Sequence, residues 1–181
     1  MYSLPTSLEV CGVNYPIRSD YRAVLDICTA LSDVDLSDQD KAIVALAILY
    51  PGFEEMPPEH YQEAIEKCFW FINGGAEDEP TRKAPKLMDW EQDLQYIVAP
   101  INRVVGTEIR AVEYLHWWSF ISAYYEIGEC LFAQIVRIRE KKAKGNLDKQ
   151  DREWYRKNRH MVDFKQTYTE SEKAILEQWG V

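Results

Sequence analysis

The chain lacks the short motifs that most often announce chemistry. Its 181 residues hold no G-x-S-x-G nucleophile elbow, no P-loop, no G-x-G-x-x-G and no kinase-like set. The four cysteines, Cys11, Cys28, Cys68 and Cys130, are far apart and form no C-x-x-C pair, which leaves no zinc set. They read as buried, reduced thiols. The start, MYSLPTSLEV, has neither the basic residues nor the apolar run of a signal peptide. The longest apolar stretch, AIVALAILY at 42–50, is too short to span a bilayer. Together these absences predict a soluble intracellular protein without a membrane anchor.

What is present is a core and an uneven charge. Hydrophobic residues make up 46% of the chain and aromatics 13%, enough to exclude global disorder. A chain of this length suits one domain that buries about 70% of its unfolded surface. The net charge of -9 argues against a general nucleic-acid-binding surface. Residues 137–160 nevertheless carry 10 Lys/Arg against 4 Asp/Glu, a local +6, which leaves -15 on the rest. The chain is an acidic body with a basic arm over residues 137–165.

The fold class is mainly α, a helical bundle-like single domain behind a short N-terminal β-hairpin. Alternation around Cys11-Gly12 predicts that hairpin at about 7–18, with Val13, Tyr15 and Ile17 on one strand face and Pro16 near a strand end. Ser19 or Asp20 caps a helix that buries Val24, Leu25, Ile27, Cys28 and Leu31. Ser37 caps a second, with Ile43, Leu46, Ala47 and Tyr50, which stops at Pro51-Gly52. Pro57-Pro58 opens a third that carries Tyr61, Ile65, Cys68, Phe69 and Ile72 and ends at Asn73-Gly74-Gly75. Residues 76–86 contain no large apolar side chain and read as a solvated linker between two helical subregions. A fourth helix begins near Asp89, with Gln92 returning the capping bond, and Pro100 predicts a kink or break inside it. After Gly106 the aromatic run continues into LFAQIVRIREKKAKG. Asp148 starts a helix to about Phe164, and Thr169 to Glu172 cap a short last one.

Residues 113–130, EYLHWWSFISAYYEIGEC, pose the sharpest question. Glu113 and His116 have the Glu-x-x-His spacing of carboxylate-bridged metal sites, which need two such motifs and two further glutamates. This chain has one. On a continuous helix Glu126 would lie about 140° around from Glu113, so the two could not face one ion. His116 reads better as a partly buried helix residue with one hydrogen-bond partner, and no metal or other cofactor is expected. Trp117, Ile121 and Tyr124 would share one face, and Leu115, Trp118 and Tyr125 another. A helix apolar nearly all round must be covered by its own bundle or by a partner. Gly128 predicts a kink or a close helix crossing. In the arm, the plain reading is a solvated face with pairs such as Asp148–Arg152 and Glu153–Lys157. The alternatives are docking to an acidic protein surface and phosphate binding, with Trp154 and Tyr155 as stacking groups. The body's charge opposes the last.

Several stretches taken together resemble one family. They are LPTSLEVCGVNYPIRSDYR, ILYPGFEEMPPEHYQEAIEKCFWFINGG, PKLMDWEQDLQYIVAPINRVVGTEIR, the aromatic run and the basic arm, with HWW and MDWEQD the most specific. Over most of residues 1–165 the chain is similar to the bacteriophage gene-product-fifteen family of tailed phages and prophages in Gram-positive hosts. Its members are typically encoded just before the tape measure protein. The resemblance implies a non-catalytic tail assembly chaperone in the host cytoplasm. Such a protein would keep the long tape measure helix soluble while tail tube subunits assemble. The partners implied are the tape measure protein, the tail tube protein or an upstream chaperone product, and a homo-oligomer is compatible with them. No membrane is involved and nucleic acid is disfavoured. The alternative is a structural protein retained in the virion tail, and behind it a metal-binding helical enzyme. The residues expected to meet a partner are Trp117, Trp118, Tyr124 and Tyr125 of the aromatic run, with Arg152, Trp154, Arg156 and Arg159 of the arm.

Overall fold

The structure, a computed structural model, describes residues 3–76 and 85–165. They form a mainly α-helical protein with a two-stranded N-terminal hairpin. The backbone divides into two compact units on either side of residues 77–78. That division falls inside the expected linker, of which 77–84 lie outside the described residues, as does the last helix expected after Thr169.

In the first unit, β1 (Ser7–Val10) pairs antiparallel with β2 (Val13–Pro16) in the register Ser7↔Pro16 to Val10↔Val13. Cys11 and Gly12 both have positive φ, +50° and +76°, the backbone a two-residue hairpin turn requires. Cys11 is an L-residue in that conformation and is exposed rather than buried. Glu63 secures it, accepting from the Cys11 amide at 3.1 Å and from the thiol at 3.2 Å. The expected strand face is corrected: Leu8 and Val10 of β1 enter the core with Ile17, whereas Val13 is exposed and Tyr15 half-buried.

Helix α1 (Tyr21–Ser32) starts at Asp20 and α2 (Asp38–Leu49) at Ser37, each cap accepting a backbone N–H two or three residues on. Arg18 closes the other end of α2. Its side chain donates to the carbonyls of Ala47 and Ile48, and its amide to that of Leu49, so orphan groups of the last turn are satisfied. Ile43 stays outside the core. A short 3₁₀ turn at Pro58–His60 leads into α3 (Tyr61–Ile72). This helix buries Ala64, Cys68 and Phe71, so of the five expected residues only Cys68 is fully inside. The small Ala64 decides the face, because it lets Tyr50 approach and donate its hydroxyl to the Ala64 carbonyl at 3.0 Å.

In the second unit, α4 (Trp90–Val105) is capped by Asp89, and the reciprocal bond comes from Asp93 rather than Gln92. The helix runs unbroken through Pro100, which is itself buried next to Ile101 and one turn from Ile97. Packing offsets the missing amide hydrogen bond. The aromatic run is not one long helix. Residues 107–115 are irregular, α5 spans only Trp117–Tyr125, and Gly128 at φ +60° separates it from α6 (Leu131–Ala143). The expected kink is therefore a full break, which an L-residue at that φ would adopt only under strain. Asp148 caps α7 (Lys149–Lys157), and α8 (Arg159–Val162) follows after Asn158.

These elements converge on Arg139, read in the sequence as part of the basic arm but almost wholly buried. Its guanidinium grips Asp93 with two bonds, of 2.5 and 2.9 Å. The other three N–H groups reach the carbonyls of Leu87, Met161 and Val162 at 2.7–3.1 Å. All five donors are used, and the ring of Phe164 lies 4.2 Å from the guanidinium carbon. Gln92 extends the grip, donating to the Asp163 carbonyl and accepting from the Lys165 amide, both at 2.9 Å. Arg139→Ala leaves the buried Asp93 carboxylate without its cation and should lower unfolding free energy by about 3–5 kcal/mol. Pairing Arg139→Met with Asp93→Leu should lose less than the sum of the two single changes. Denaturant melts of the four proteins check both.

Candidate functional site

The first candidate surface is the aromatic helix. Its N-cap is His116, whose Nδ1 accepts from the Trp118 amide at 3.0 Å and whose side chain is buried. The Glu-x-x-His spacing therefore straddles a helix start, and helical geometry does not relate Glu113 to either His116 or Glu126. Among the described residues no group of three or more His, Cys, Asp or Glu side chains could hold a metal ion. Burial pushes Cys68 up to about 12 and Cys28 up to about 11. The hydrogen bond to Glu63 raises Cys11. None of these three has the depressed pKa of a nucleophilic cysteine.

The helix is covered on one side by its own chain. Trp117 stacks on Phe120 with ring centres 5.5 Å apart, and Trp90 meets Trp117, Phe120 and Tyr124 within 5.9 Å. Tyr124 also packs near Phe132 and donates its hydroxyl to the Met88 sulfur. The four expected aromatic contacts thus separate. Trp117 is core, Trp118 and Tyr124 are half-buried, and Tyr125 alone is open, 72% exposed. Leu131, at the start of α6, is exposed as well. Of the two covers the sequence leaves open, the chain itself supplies one side of the helix, and the edge at Tyr125 stays open.

The second candidate surface is the arm. Of its ten cations in 137–160, six face carboxylates. Arg137 and Lys141 reach Asp151, Arg139 reaches Asp93, Lys142 and Arg159 reach Asp163, and Lys144 reaches Glu140. Neither expected pair, Asp148–Arg152 or Glu153–Lys157, forms among the described residues. Asp148 faces Lys141 instead, and Arg152 donates to the Leu147 carbonyl. The four cations left are Lys149, Arg152, Arg156 and Lys157, all on α7 and all exposed. Lys149, Arg152, Glu153 and Arg156 line a groove of about 210 Å³. Arg156 also borders a wider depression with Lys157, Arg159, His160 and Asp163. Trp154 is half-buried, so the expected set Arg152, Arg156 and Arg159 is at the surface while its tryptophan is partly withdrawn. Lys149 is not among the residues expected from the sequence, and Lys157 is expected only as the partner of Glu153; a helical wheel anchored at the Asp148 cap would have found Lys149 one turn before Arg152.

Asp163 locks the arm's far end. Burial pushes its carboxyl up, but hydrogen bonds from Lys142, Arg159 and Tyr155 outweigh that and hold it at about 2. Because this lies below the ordinary 3.8, the pairing stabilises the fold fully above about pH 4 and loses its contribution as pH falls towards 2. Asp163→Asn should therefore be least stable relative to the parent near neutrality, and the gap should close in acid. Denaturation midpoints across that pH range measure it.

No helix among the described residues is long and apolar enough to cross a membrane. No curated protein and no solved structure matches the chain. One family model does, described as Bacteriophage Gp15 protein, and it covers residues 1–164. That span takes in the hairpin, all eight helices described above and the Phe164 ring under Arg139. From hairpin to clamp, then, the protein is built as a member of the bacteriophage Gp15 protein family.

Proposed function

We propose that this phage protein is a non-catalytic tail assembly factor, a chaperone that binds the tape measure protein in the host cytoplasm and keeps it soluble while the tail tube is built. Membership of the Gp15 family across residues 1–164 carries the reading. A chaperone for an amphipathic helix needs apolar anchors beside open surface and a charge that resists aggregation. Tyr125 at the open edge of the aromatic helix and Leu131 at the start of α6 offer such anchors, and the net charge is -9. Trp118 and Tyr124 flank them, whereas Trp117 holds the core beneath.

Co-expression with a tape measure protein encoded beside it tests the proposal. The expected result is a soluble complex recovered on either partner. Tyr125→Glu should weaken capture several-fold while the melting curve stays unchanged, because the side chain is open. Failure to form a complex, with no gain in tape measure solubility, would sink the chaperone reading. Abundant peptides of the chain in purified virions would favour a retained tail component instead.

A further inference from the structure

The six cations of the arm that meet carboxylates are structural, and the four that do not are gathered on one helix. Lys149, Arg152 and Arg156 follow one another at three and four residues, a single line along about 10 Å of α7, with Lys157 beside it. None of the four has a carboxylate partner among the described residues, although acidic groups outnumber basic ones in the chain by 30 to 21. A charge line left open in an acidic protein is a surface awaiting counter-charge. The chain itself displays that counter-charge between α1 and the end of the first turn of α2. There, residues 33–40 read DVDLSDQD, four aspartates in eight residues with no lysine or arginine among them. All four are exposed, and Asp33, Asp38 and Asp40 form no ion pair among the described residues.

We propose that the outer face of α7 docks the acidic α1–α2 connection of a second copy of the protein. The contact is head-to-tail: one copy presents Lys149, Arg152, Arg156 and Lys157, and the next presents Asp33, Asp35, Asp38 and Asp40. A heterologous contact of this kind leaves an unused basic face at one end and an unused acidic loop at the other, so it builds rings or open chains rather than a closed pair. Exposed ion pairs each contribute little, and salt screens them beyond about 10 Å at 0.1 M. The association is therefore reversible, grows with protein concentration and disappears in salt. It does not depend on the tape measure reading, since it needs only this chain.

Light scattering on the full chain over a concentration series, at about 0.05 M and about 0.5 M salt, reads it directly. The expected mass rises with concentration at low salt and falls to the monomer at high salt. Charge reversal on either side, Arg152→Glu with Arg156→Glu or Asp33→Lys with Asp35→Lys, should abolish the rise. Circular dichroism verifies that each variant keeps its helices. Mixing the two reversed proteins is decisive, because the unaltered acidic loop of the first then meets the unaltered basic face of the second and association in pairs should return. A parent that stays monomeric at every concentration, or reversed proteins that fail to rescue each other, overturns the proposal. Capture of a single-stranded oligonucleotide that is lost on reversing Arg152 and Arg156, without self-association, would assign the face to nucleic acid and overturn it too.

Discussion

The second unit is organised around one buried guanidinium. A charged group moved from water to the interior carries a desolvation cost of several kcal/mol, met only when its charge and every donor find partners. Arg139 meets both conditions: Asp93 neutralises it through two bonds, and three carbonyls from outside α6 take the remaining N–H groups. Those partners come from α4, from the segment that leads into it and from α8, so a single side chain fixes where three separated parts of the chain meet. An apolar residue of equal volume could fill the space, but it would not choose between neighbouring registers. The planar fork matches the geometry of these five acceptor contacts.

Around that centre, apolar packing follows ordinary rules. The aromatic layer of Trp90, Trp117, Phe120, Tyr124 and Phe132 supplies area, and edge and offset contacts between rings supply shape. The first unit uses a different device. Arg18 and Tyr50 spend their polar atoms on backbone carbonyls of α2 and α3, so that helix ends and a helix side are tied without any buried charge pair. Among the described residues, no buried side-chain nitrogen or oxygen atom lacks a partner. Polar groups in both units act as connectors between backbone segments.

Local signals were legible in the sequence, and long-range ones were not. Asp20, Ser37, Asp89 and Asp148 were each readable as helix starts, because a cap bonds within three residues of itself. The hairpin was readable from Cys11-Gly12 for the same reason. His116 was not readable as a cap, since histidine is uncommon there, and so the aromatic helix was drawn too long. The role of Arg139 was hidden in a run of ten cations, because its partner lies 46 residues away and no periodicity points to it. The open edge at Tyr125 was equally hidden: apolar composition records what a helix could bury, and only the position of Trp90 and Phe132 decides which side is taken. The family, by contrast, was legible from HWW and MDWEQD, motifs whose residues include Trp117, Trp90 and Asp93 of this core.

The clamp on the end of the second unit has an evolutionary consequence. Arg139 and Gln92 hold residues 161–165 through main-chain atoms, at Met161, Val162, Asp163 and Lys165. Main-chain atoms are the same whatever side chain is attached. Mutations at Met161, whose side chain makes none of these bonds, can therefore accumulate without loosening the grip. A change at Asp93 or Arg139, however, removes several bonds at once. Relatives of this protein should keep the pair at 93 and 139 together or lose it together, while position 161, gripped through its carbonyl, diverges around an unchanged backbone path.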